Sequence, residues 1–103
     1  MFEKLTFEVT QEDIDYGQPR MMGHCPIAIS AHRHAREVWG IKHPNVFATH
    51  SRVVIGDWDE DKLYIYHLGK PERAFVRDFN DNIGVLPFTL RLRLLEEKES
   101  VYR

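Results

Sequence analysis

A chain of 103 residues, 43% hydrophobic and 12% aromatic, is one domain's worth and can bury roughly 60–70% of the surface its unfolded form exposes. Its 14 basic and 16 acidic residues leave a net charge of −2, so no overall field draws it to a nucleic-acid backbone or an anionic membrane, and any such binding needs a local patch. One cysteine excludes an internal disulfide, and Met1-Phe2-Glu3-Lys4 does not read as a charged-then-apolar export signal. No apolar run approaches the roughly 20 residues that span a bilayer, so a reducing cytoplasm is the expected setting.

Leu5, Phe7 and Val9 alternate with Lys4, Thr6 and Glu8, the period of a strand with one buried face. Thr10-Gln11-Glu12-Asp13 has the form of an N-cap with an acid three residues on, and Gly17 can close the one or two helical turns that follow. Gln18 to Gly23 reads as loop. From Pro26 a helix is expected to about Trp39, with Ile27, Ala28, Ala31, Ala35, Val38 and Trp39 in one apolar stripe and Ser30, Arg33, Arg36 and Glu37 pointing away. Gly40 and Pro44 end it. Strands are expected over Val46–His50, Arg52–Gly56 and Lys62–Leu68 as an antiparallel meander, the last two joined by the acidic connection Gly56 to Asp61. Gly69-Lys70-Pro71 starts a second helix with Phe75, Val76 and Phe79 on one face, stopped by Asn80 to Gly84. The final strand alternates Phe88, Leu90, Leu92 and Leu94 with Thr89, Arg91 and Arg93 and should pair inside the sheet. Beyond it, the charged segment 96–103 is expected to fray. The sum is a single α+β domain, a mostly antiparallel sheet with two main helices packed on one face.

The chemistry-bearing residues are few. Cys25 falls at a helix start, where unpaired N–H groups and the dipole favour a thiolate and His24 stands beside it, which makes a reactive thiol one reading and a buried cap the other. A Cys-x-x-Cys pair is excluded by the single cysteine, and a Cys-x5-Arg phosphatase loop by Ala31. His32 and His34, two apart on a helix, point away from each other and cannot grip one ion. No metal or cofactor is expected. Ile29, framed by Arg33 and Arg36 on the outer helix face, has the chemistry of an interface anchor. Arg91 and Arg93 with Tyr64 and Tyr66 suggest a basic aromatic sheet face for single-stranded nucleic acid. Asp57 to Asp61 lacks the glycine and distal glutamate of a calcium loop and reads as a solvated turn. An exposed edge strand would leave self-association open.

Gly23-His24-Cys25-Pro26-Ile27-Ala28, Ala74-Phe75-Val76-Arg77-Asp78-Phe79-Asn80 and Val85-Leu86-Pro87-Phe88-Thr89-Leu90 together resemble a family of small proteins from bacteriophages and some bacteria. That family carries a Cys-Pro-Ile-Ala helix start, then Phe-Val-x-x-Phe-Asp and Val-x-Pro-Phe-x-Phe. Asn80 stands where its members have an acid, and the upstream cysteine of many members is absent. The resemblance implies a phage-type context without transferring a site. The function expected is that of a non-enzymatic accessory protein binding a protein partner through Ile29, Arg33 and Arg36, and the resemblance implies a host factor as that partner. Nucleic-acid binding is the second reading, and a thiol sensor or enzyme on Cys25 the third.

Overall fold

The computed structural model describes residues 2–99. β1 (Lys4–Val9) buries Leu5, Phe7 and Val9 and turns Lys4, Thr6 and Glu8 to solvent. α1 (Gln11–Tyr16) opens on a reciprocal cap in which Thr10 Oγ1 accepts the Asp13 N–H (3.2 Å) and Asp13 Oδ2 accepts the Thr10 N–H (2.9 Å), satisfying two otherwise orphaned donors. Gly17 ends α1 with an ordinary φ of −67°, so the glycine is required by space. A Cβ there would lie 2.8 Å from Cγ and Cδ of Pro26 and 3.0 Å from Cζ of Phe79. Gly17→Ala is expected to push α1 off its seat and cost about 1–3 kcal/mol, read as a lower urea midpoint.

α2 (Pro26–Glu37) begins at the Cys25 cap with proline in its first turn, where the missing N–H is no loss. It stops two residues before the expected Trp39, and Gly40 then takes the left-handed φ of +73° that glycine adopts without strain. Trp39 leaves the helix axis to stack on Phe2, ring centroids 4.0 Å apart. Ile27, Ala28, Ala31 and Ala35 are buried as their spacing requires, whereas Val38, expected in the same stripe, caps the helix and is exposed. Ser30, expected on the outward side, is instead 1% exposed. Its hydroxyl is satisfied within the helix by the Pro26 and Ile27 carbonyls, at 2.8 and 3.0 Å, so it can be covered without a desolvation penalty.

β2 (Pro44–Ala48), β3 (Arg52–Asp57) and β4 (Lys62–His67) form the meander, α3 (Lys70–Asn80) follows, and β5 (Phe88–Glu99) completes a five-stranded antiparallel sheet in the order β1-β5-β4-β3-β2. β2 ends earlier than expected because Thr49 Oγ1 accepts the N–H groups of Ser51 and Arg52 and turns the chain. The expected fraying after Glu96 is corrected for the described part of the tail. Phe88 to Arg93 pair with β1, Leu94 and Glu96 to Glu99 pair with β4, and Leu95 is the extra residue where the register shifts. Cross-strand pairing holds these charged residues in the ladder, whereas residues 100–103 lie outside the described part. The two ends of β5 thus belong to different neighbours and curl the sheet.

α2 lies within that curl against β2, β1 and β3, reaching both edge strands. Leu5, Ile27, Val53, Ile55, Tyr66 and Leu90 are wholly covered between them, and Phe75 and Val76 of α3 join the same core. α3 is capped by Glu72 Oε1 accepting the Gly69 N–H at 2.9 Å, and its Phe75 ring lies 4.7 Å from that of Phe88. The molecule is therefore an α+β domain. The edge of β2 is closed by the chain itself, since the Ala48 N–H donates to the Met22 carbonyl (2.9 Å), Gly23 lies against the Val46 carbonyl, and Pro44 has no N–H to offer.

Candidate functional site

Cys25 occupies the helix cap, with its Sγ accepting the Ala28 N–H at 3.4 Å. It is 5% exposed. Burial pushes its thiol up, and the backbone N–H groups of Ala28 and Ile27 do not offset this. His24 is exposed, and its main chain closes the loop by accepting the Gln18 N–H and donating to the Met21 carbonyl. The side chain at the helix start is thus a desolvated cap, where the dipole argument alone predicts an acidified nucleophile. Iodoacetamide labelling of native protein at neutral pH is expected to be at least about tenfold slower than in urea, since the thiolate, the reactive form, is scarce and covered.

Of the three α2 residues expected to meet a partner, Arg33 is engaged within the fold. Its guanidinium grips Asp13 through both nitrogens, at 2.6 and 2.9 Å, and Nη2 reaches the Glu8 carbonyl at 3.4 Å. Asp13 is 2% exposed. Burial alone would raise its carboxyl, but the Arg33 hydrogen bonds and charge, with the Thr10 N–H, hold it below the usual carboxylate value. Ile29 is half-buried and Arg36 exposed. His32 and His34 diverge as expected. Burial and the Arg36 charge lower His32 despite the Pro44 carbonyl near its ring, and burial lowers His34, which packs against Phe7 and Trp39. Among the described residues no three His, Cys, Asp or Glu side chains converge as a metal site.

The basic aromatic face expected from Tyr64, Tyr66, Arg91 and Arg93 is corrected by the register. Tyr66 pairs with Leu94, and both tyrosines turn inward and are buried, whereas Arg91 and Arg93 pair with Thr6 and Lys4 on the outer face. The side-chain period of 2 puts the two pairs on opposite sides of the sheet. Tyr66 donates its hydroxyl to the Phe2 carbonyl at 2.7 Å, and burial drives its phenol far above the ordinary value.

The outer face carries a feature that sequence reasoning missed. Phe47, Val54 and Ile65 are directly opposite one another in successive strands, so they form an apolar row running across β2, β3 and β4 on the side away from α2. Val54 and Ile65 are each 4% exposed, yet both lie outside the contiguous core. In the next row Gly56 stands between Asn45 and Leu63, and the Leu63 Cδ2 leans to 3.2 Å from where a glycine Cβ would sit. These side chains floor a groove that continues around the β2–β3 turn to the Arg20–Met22 loop. Asn80 Oδ1 anchors that loop by accepting the Arg20 N–H at 2.9 Å. Arg20, Arg52 and Lys98 rim the groove together with His50, and no carboxylate lines it among the described residues. None of the three permanent cations is in a described ion pair. Trp58, exposed on the β3–β4 turn, borders an adjoining hollow that shares Phe47 and Leu63. The available signal was the unbroken runs Val53-Val54-Ile55 and Tyr64-Ile65-Tyr66, in which both faces are apolar where a strand with one wet face alternates.

No helix among the described residues is long and apolar enough to cross a membrane. Comparison with protein-family models, with curated proteins and with solved structures finds no match to this chain.

Proposed function

We propose that this chain is a small non-enzymatic accessory protein that binds a protein partner in the cytoplasm, and that its phage-type motifs mark it as a modulator of a host factor. The observation that carries this reading is the apolar row Phe47–Val54–Ile65 in an open groove rimmed by cations. An apolar floor, reached through the half-buried Phe47 and Leu63, within a charged rim has the anatomy of a recognition surface. It supports the sheet's outer face as the docking surface more strongly than α2, because Arg33 is held by Asp13 and leaves only Ile29 and Arg36 outward. Affinity capture from a bacterial lysate tests it with wild type, Phe47→Asp/Leu63→Asp and Ile29→Asp/Arg36→Glu, each first checked for folding by circular dichroism. A partner kept by the α2 variant and lost by the sheet variant is expected. A partner lost only with the α2 variant moves the surface to the helix, and capture of nothing specific removes the reading.

Nucleic-acid binding is the second reading, and one observation favours it. The outer face bears Lys4, Arg52, Arg91, Arg93 and Lys98 against Glu8 and Glu96, a local excess of positive charge in a chain of net −2. Binding of a fluorescent oligothymidine that weakens steeply with salt supports it, and no binding at low salt ends it.

A further inference from the structure

We infer that the occupant of the outer groove is an acidic amphipathic segment of a partner protein, its apolar side chains on the Phe47–Val54–Ile65 row and its carboxylates toward Arg20, Arg52 and Lys98. This rests on the groove being the docking surface and adds what docks there.

The argument is charge complementarity joined to the shape of the floor. In a chain with more acidic than basic residues, the groove carries Arg20, Arg52 and Lys98 on its rim and, among the described residues, no carboxylate in its lining. Glu96, opposite Ile65 on the same face, borders it, so the field over the groove is net positive rather than of one sign. Such a field selects negative partners and repels positive ones. The floor is mainly aliphatic: the half-buried Leu63 and the ring of Phe47 offer its accessible area, with Val54 and Ile65, nearly covered, beneath them. Bases gain most from aromatic platforms, whereas Leu, Ile and Phe side chains gain from any apolar surface of matching shape. Met21 and Met22, both exposed at the groove's edge, have unbranched side chains that adapt to different apolar groups. The segment docks through its side chains and does not extend the sheet, because the Met22 carbonyl already takes the Ala48 N–H on the β2 edge.

The test is selection of a displayed random-peptide library against the full chain, followed by synthesis of the enriched peptides and mapping of their sites by amide chemical shifts. Enriched peptides are expected to combine Asp or Glu with Leu, Ile or Phe and to shift the amides of Phe47, Val54 and Ile65. They should lose about tenfold or more in affinity to Arg52→Glu/Lys98→Glu, as expected when attraction becomes like-charge repulsion. Peptides that map to the groove without acidic bias, or that ignore the charge reversal, overturn the inference and leave the docking surface standing. Peptides that map to Ile29 and Arg36, or a library that yields no binder, overturn both. Displacement of the peptides from the same residues by an oligothymidine of higher affinity overturns the inference in favour of nucleic acid. Folding of the charge-reversed variant is checked by its amide spectrum, with Arg52→Gln/Lys98→Gln as the milder second variant, for which a smaller loss in the same direction is expected.

Discussion

Tyr66→Ala is expected to lose about 3–5 kcal/mol of stability, a large fraction of what a domain of this size possesses. Tyr66 is wholly covered, its ring lies against that of Trp39 (centroids 6.2 Å apart), and its hydroxyl ties down the Phe2 carbonyl. Truncation removes a large apolar volume, leaves a cavity beside the β4–β5 seam and frees the segment before β1. Tyr66→Phe keeps the volume and loses only the hydrogen bond, so about 1 kcal/mol is expected. Urea unfolding followed by tryptophan fluorescence separates the two. A loss in the phenylalanine variant equal to that in the alanine variant would show that the hydroxyl, not the ring, dominates. Because burial favours the neutral phenol, the unfolded chain ionises first as pH rises past the ordinary phenol value near 10. Wild-type stability therefore falls above that pH, and Tyr66→Phe flattens the decline.

Arg33→Ala is expected to cost about 2–4 kcal/mol at neutral pH, toward the lower part of the range for a broken buried pair because Arg33 itself is partly exposed. The variant leaves the nearly covered Asp13 carboxylate without its cation. The wild-type carboxyl is held below its unfolded value of about 3.9, so its stabilising contribution is complete above that value and is lost as pH falls through the folded one. The two proteins should therefore differ most at neutral pH and converge on acidification. Denaturant titrations from neutral pH down to acid measure this, and a difference that stays constant across the range would mean that Arg33 acts only through packing. Asp13→Asn should be milder, because it leaves a cation that water can reach and an amide oxygen that can still accept the Thr10 N–H.

Elements whose apolar spacing has a single face were legible in the sequence. β1, α1 with its Thr10 cap, and the α3 face of Phe75, Val76 and Phe79 stand where the pattern puts them. The proline and cysteine at the start of α2 likewise mark its first turn. Other features depend on neighbours that no local pattern names. Ser30 is covered because α2 is enclosed by the curled sheet, which no helical wheel specifies. Tyr64 and Tyr66 have a face only once the register with β5 is known, and an error of one residue inverts it. Arg33 reads as a free surface cation until α1 brings Asp13 against it. The groove was hidden for the same reason, since its row is assembled from three strands and is one residue wide in each.

β5 is the common neighbour of β1 and β4, and its pairing with β1 joins distant parts of the sequence, Lys4 lying opposite Arg93. During synthesis β1 therefore has no strand partner until β5, which follows every other element of the fold, has emerged. Its apolar side can meet α2 early, but its backbone ladder waits for β5 to arrive. Closure of that most distant pairing is the natural slow step of maturation, and the interval before it is when a chaperone would have most to hold.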